Sequence, residues 1–172
     1  MSVSEMSWPI ADDAAVPALR QRIFADHGHS VYAVLDGASI PGLLQRLLTD
    51  VPEYVCLYAG KISPVLAEAA PYLVRLREEE PFTDWVLRYG WLRHWGIFVL
   101  SDASLPQLRN HFRRFLIVKD TNGRRLYFRF YDPRVLGVYL PTCNEEERNF
   151  VFGPVAAYLC EDAESGTLMM LK

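Results

Sequence analysis

The sequence is poor in cysteine and histidine, with three of one and four of the other in 172 residues. Cys56, Cys143 and Cys160 stand far apart, with no C-x-x-C and no neighbouring histidine pair. No zinc framework is therefore written into the chain, and an odd, sparse count fits a reducing compartment. No apolar run approaches ~20 residues, so no membrane-spanning helix is expected. The opening MSVSEMSWPIADDAAV has no basic stretch followed by an apolar one, which argues against a secretory signal. The G-x-S-x-G elbow, the P-loop and G-x-G-x-x-G are missing as well. Strong charge of either sign is lacking: the formal net charge is −3 and the pI near 5.8, which speaks against a general nucleic-acid binder. These absences leave a globular chain, expected to be cytoplasmic and to bind neither nucleic acid nor membrane.

What is present is apolar. Hydrophobic residues make up 51% and charged residues 23%, which excludes intrinsic disorder. At this length one domain is expected, able to bury roughly 70% of the unfolded chain's surface. Val31–Leu35, Tyr54–Tyr58, Tyr72–Leu76 and Gly96–Leu100 read as strands, the last fully apolar and flanked by punctuation. Helical spacing marks Ala14–Ala25 (capped by Asp12 or Asp13), Ile40–Leu48, Pro64–Ala70, Thr83–Tyr89 and Ser104–Phe112. Phe115–Lys119 and Arg125–Tyr131 flank Asn122–Gly123, the strongest short-range hairpin signal. Pro133–Val138 and Glu145–Leu159 read as helical, the second interrupted near Gly153–Pro154. The expected class is α/β: a mixed β-sheet flanked by helices, one antiparallel hairpin and a short helical C-terminal part. Residues 1–30 form an N-terminal segment with a helix, 31–160 the α/β domain and 161–172 a tail.

Three aspartates sit just past strand ends: Asp36, Asp102 and Asp132. Ligands of open α/β sheets collect there, so three gathered carboxylates would hold Mg²⁺ in a metal-dependent hydrolase. Each aspartate also precedes a helix, where capping worth about 1 kcal/mol accounts for it without metal. Capping is the stronger reading: Asp132–Pro133 suits a helix start, and Asp102 or Ser104 suits the helix at Leu105. His27 and His29 form a lone H-x-H with no third ligand nearby, Cys143 has no evident base, and both read as structural or surface features.

Charge is uneven. Arg109, Arg113, Arg114, Lys119, Arg124, Arg125, Arg129 and Arg134 face only Asp120 and Asp132 between 109 and 134, a local +6 that leaves −9 for the rest. Arginine dominates this stretch, and its planar fork suits interfaces. Arg113 and Arg114 fall on the polar side of the Leu105–Leu108–Phe112 stripe, and Arg124 and Arg125 flank the hairpin turn. Together they make a candidate surface for an anionic protein partner. Trp85, Trp91 and Trp95 cluster, with Trp85 and Trp95 expected in the core; Trp91 is the best candidate for an exposed anchor, though core packing is the stronger reading there too.

One ordered set of strings remains: L-D-G (35–37), P-Y-L-V-R-L (71–76), W-G-I-F (95–98), S-D-A-S-L (101–105), H-F-R-R-F-L (111–116), F-R-F-Y-D-P-R-V-L (128–136), L-P-T-C (140–143) and F-G-P (152–154). The set resembles the bacterial type VI secretion adaptors, the Tap/Tec and VasW-like effector chaperones, over about Val31 to Leu159. The resemblance implies a cytoplasmic, non-enzymatic chaperone without cofactor. Such a protein binds a toxic effector and helps load it onto the VgrG spike, sometimes through a PAAR-type tip. It supplies no catalytic residue, and its motif residues Asp36, Trp95, Asp102, Arg129, Asp132 and Arg134 read as fold-defining. An arginine in the strand next to Asp132 is expected to pair with it. Members of this kind usually look longer, with a helical C-terminal lobe after the α/β lobe.

Overall fold

A computed structural model describes residues 14–162 and 164–172; the expected caps Asp12 and Asp13 lie outside them. The central sheet has six strands in the order β2-β3-β1-β4-β7-β8. These are β1 (Ser30–Asp36), β2 (Tyr54–Cys56), β3 (Pro71–Leu76), β4 (Gly96–Ser101), β7 (Ala157–Asp162) and β8 (Thr167–Leu171). A separate two-stranded ribbon pairs β5 (Ile117–Lys119) with β6 (Arg125–Tyr127). The expected α/β class with flanking helices and one hairpin is what the chain adopts.

The sheet itself is antiparallel at every pairing, not mixed. The physical reason for the misreading lies in its layers. Alternate residues of each strand enter two different cores: Val31, Ala33 and Leu35 face one, Tyr32 and Val34 the other. A strand buried on both faces reads as a continuous apolar run, which is the usual mark of a parallel sheet. Here helices cover both faces of an antiparallel one. Helices α1 (Ala15–Ile23), α2 (Leu43–Asp50) and α4 (Pro81–Gly90) pack on the first face through Leu19, Ile23, Leu47, Phe82 and Leu87. Helices α5 (Leu105–Leu116), α6 (Pro133–Tyr139) and α7 (Glu145–Phe152) cover the second through Leu108, Phe112, Leu136 and Val151. The short α3 (Pro64–Glu68), N-capped by Ser63, contributes no buried residue.

The C-terminal part departs from the sequence reading. The helix expected to reach Leu159 stops at Phe152, and residues 157–162 form β7 instead. Gly153 ends the helix at φ 46°, a left-handed backbone suited to glycine. A Cβ there would also stand 2.5 Å from the His111 ring. The tail expected over 161–172 holds the end of β7 and β8, paired in register from Tyr158↔Leu171 to Asp162↔Thr167. The expected strand Arg125–Tyr131 is likewise short: pairing ends at Tyr127, and Phe130 and Tyr131 turn inward as buried aromatics.

Candidate functional site

Asp36 is the best-connected of the candidate residues. It closes β1 at 1% exposure, and its carboxylate accepts from Ala38 N–H and from Ser39 Oγ–H at 2.6 Å. Arg129 Nη2 donates to the same carboxylate and reaches Ser39 Oγ at 3.4 Å. Asp36 N–H in turn donates to Trp95 O at 2.9 Å. Gly96 follows, and no larger residue fits, since a Cβ there would run into Val34 O. L-D-G, W-G-I-F and F-R-F-Y-D-P-R thus meet at one buried node. Arg129 is therefore the partner of Asp36 and not of Asp132, a correction to the expected pairing. Burial works against the Arg129 charge, but Asp36 outweighs it and holds the guanidinium protonated. Burial first, then the charges of Asp36 and Tyr58, raise the pKa of neighbouring Tyr131, so its hydroxyl stays neutral.

The other two aspartates are elsewhere occupied. Asp132 N-caps α6, accepting from Arg134 N–H at 3.0 Å, and its carboxylate takes both Arg134 Nε (3.0 Å) and Nη2 (2.7 Å). Burial pushes its carboxyl up, but the Arg134 bonds win and the net shift is downward. Asp102 does not cap α5. Ser104 does, in a capping box with Gln107, while the Asp102 side chain is 75% exposed and 3.8 Å from His29 Nε2. A shared Mg²⁺ needs oxygens converging on one point at about 2.0–2.1 Å. Among the described residues no three His, Cys, Asp or Glu side chains are so grouped.

The basic stretch divides by role. Arg113 is structural: its Nε donates to Leu57 O, and its Nη2 to Cys56 O and Tyr58 O, at 2.9–3.0 Å. This clamps the segment after β2 onto α5. Arg114 stays exposed over the Phe150 ring, 4.8 Å from its centre. Arg124 is tied to Asp120 at 2.8 Å, within a turn where Asp120 also accepts from the N–H groups of Asn122 and Arg124. Those bonds, the Arg124 N–H foremost, draw the Asp120 carboxyl below its ordinary range. Arg125 is exposed on β6. Trp91, the candidate anchor, is half-buried against the core, nearer its core reading, and Trp95 lies in the core with its ring 4.7 Å from that of Trp85.

The DUF4123 family, described only as a domain of unknown function, matches residues 31–149. The chain belongs to it. No curated protein and no solved structure is found to match the chain. Membership in DUF4123 agrees in general terms with a type VI secretion adaptor. The matched span holds the Asp36–Arg129 node, the β5–β6 ribbon and α6. No helix among the described residues is long and apolar enough to cross a membrane.

Some residues that hold the DUF4123 chain together escaped the sequence reading. His111, in H-F-R-R-F-L, is buried and bonds Val151 O through Nε2 at 2.9 Å; Tyr158 O–H donates to the same carbonyl at 2.6 Å. Burial lowers the His111 pKa, keeping the ring neutral. Glu161 is buried on β7 and accepts the His94 N–H at 2.7 Å, with His94 Nδ1 equally near. It fastens a turn in which Leu92 and His94 both have φ near 60°. Burial raises its carboxyl against the opposing pull of His94. The signals were slight: His111 shares the helical spacing of Leu108, Phe112 and Phe115, and Glu161 follows the apolar run A-Y-L-C. Cys143 donates to Tyr139 O at 3.5 Å, while burial raises the thiols of Cys56 and Cys160, the latter to about 11.

Proposed function

We propose that this chain is a non-enzymatic adaptor of bacterial type VI secretion. It acts in the cytoplasm, binds one toxic effector and promotes its loading onto the VgrG spike, directly or with a PAAR-type tip. The reading is carried by one observation: three of the strings that gave the resemblance, L-D-G, W-G-I-F and F-R-F-Y-D-P-R-V-L, meet at the Asp36–Arg129 node, inside the span matched by DUF4123. That node is built to hold a fold. Its carboxylate is already occupied by a cation, a hydroxyl and a backbone N–H, so its motif residues serve the scaffold and leave recognition to the surface. A protein that works by binding needs a rigid frame and a partner-specific face, and this arrangement supplies the frame.

The test is co-expression of the tagged full chain with the product of the neighbouring toxin gene and with the neighbouring VgrG. The expected result is a complex with the toxin that survives size-exclusion chromatography and joins VgrG on mixing. A chain that elutes alone in the presence of both neighbours refutes the adaptor reading.

A further inference from the structure

We propose that the β5–β6 ribbon and the facing segment 57–66 form a docking groove for an extended protein segment with one apolar anchor flanked by acidic side chains. The inference deepens the adaptor reading and rests on it for the nature of the occupant as protein. A groove of about 350 Å³ lies between the two elements. Its apolar part comes from Tyr58, Ile62, Leu66, Ile117 and Tyr127, with the Tyr58 and Tyr127 rings 5.4 Å apart.

The ribbon is unfinished as a piece of structure. It has two strands only, and Ile117, Val118, Leu126 and Tyr127 are 38%, 38%, 49% and 58% exposed, so both of its faces show apolar side chains to solvent. A two-stranded ribbon on its own is marginal in water, and an apolar patch rimmed by polar residues marks an interaction site. Among the described residues neither strand pairs with a third, and an extended segment can add to such an edge.

Charge selects the occupant. Lys61, Arg113 and Arg125 line the groove, and among the described residues no acidic one does. Arg113 is fixed there by three neutral carbonyls, which orient its charge without cancelling it. Lys119 stands opposite Arg125 in register, two pairs further toward the tip than Ile117 and Tyr127 and so on the same face of the ribbon. Neither Lys119 nor Arg125 makes an ion pair with another described residue, since Asp120 is taken by Arg124. The groove thus joins an apolar lining to the cations Lys61, Arg113 and Arg125, with Lys119 beside Arg125, on a protein of net charge −3. That pattern fits an acidic, apolar peptide. It fits a polynucleotide poorly, because the rest of the chain repels a long polyanion.

The probe is a synthetic peptide of about ten residues, a length that spans the ribbon, with one central Phe and alternating Glu and Val. The control carries Lys for Glu, and a single-stranded oligothymidine of equal length is the nucleic-acid arm. Binding to the ¹⁵N-labelled full chain is followed by NMR. The expected result is binding of the Glu peptide alone, with shifts at Ile62, Ile117 and Tyr127. The double variant Lys119→Glu/Arg125→Glu is expected to bind it about tenfold more weakly, with an unchanged thermal melt. Equal binding of both peptides, shifts elsewhere, no binding, or stronger binding of the oligonucleotide overturns the proposal. So does a dimer in sedimentation that Leu126→Asp dissolves, because the ribbon's occupant is then a second copy of this chain. No effector is used, so a negative here leaves the co-purification result, and with it the adaptor reading, standing.

Discussion

At the scale of single residues, the paired charges at β1 and α6 decide the most. Asp36 is buried, and Arg129, Ser39 and Ala38 donate to its carboxylate. Replacing Arg129 with Ala leaves that carboxylate short of its strongest donor. Half of the arginine is in solvent, which tempers the loss, so Arg129→Ala is expected to cost about 2 kcal/mol in urea unfolding. A cost below about 0.5 kcal/mol contradicts the node's structural role. His111 makes stability depend on pH. Its folded pKa lies below the ordinary 6.5 because burial disfavours the imidazolium. As pH falls, the unfolded chain takes up the proton first. The contribution is therefore complete above about pH 6.5 and is lost as pH drops toward the folded value. Urea midpoints at about pH 7.5 and about pH 5.5 are expected to differ more for the wild type than for His111→Phe; equal differences exclude His111 as the source.

At the scale of elements, most segments were legible and their ends were not. The apolar run Gly96–Leu100 and the Leu105–Leu108–Phe112 stripe marked β4 and α5 directly, because both periods are local. The cap of α5 was not settled by spacing, since Asp102 and Ser104 are both good caps. Backbone direction settles it: Ser104 lies at φ −68°, ψ 159° with Gln107 reaching back to it. Ser104→Ala is accordingly expected to lower stability by about 1 kcal/mol, and Asp102→Ala by less than about 0.5 kcal/mol. Thermal melts of the two variants check this, and the reverse order refutes the capping box. The candidate surface was partly legible too. Asn122–Gly123 announced an exposed ribbon, but nothing local showed that Arg113 bends back to the 56–58 carbonyls or that Arg124 serves its own turn.

At the scale of the whole molecule, the DUF4123 match ends at residue 149 but the fold does not. β7 pairs with β4 and sends Leu159 into one core and Tyr158 into the other. A chain cut after Asn149 loses both, along with the end of α7. It is expected to show no cooperative thermal transition by near-ultraviolet circular dichroism, whereas the full chain does. A sharp melt from the shortened chain places the stable unit within the family span alone.

The sequence by itself determined where most strands and helices before Gly153 form, the reversal at Asn122–Gly123 and the concentration of cations between 109 and 134, because each is a matter of neighbours along the chain; β7 and β8 it did not. Only the tertiary structure decided which charges meet. Asp36 and Arg129 are 93 residues apart in sequence, and His94 and Glu161 are 67 apart. It also decided that the sheet is antiparallel. A strand covered on both faces carries the same apolar pattern in either direction, and direction is set by which strands end up side by side.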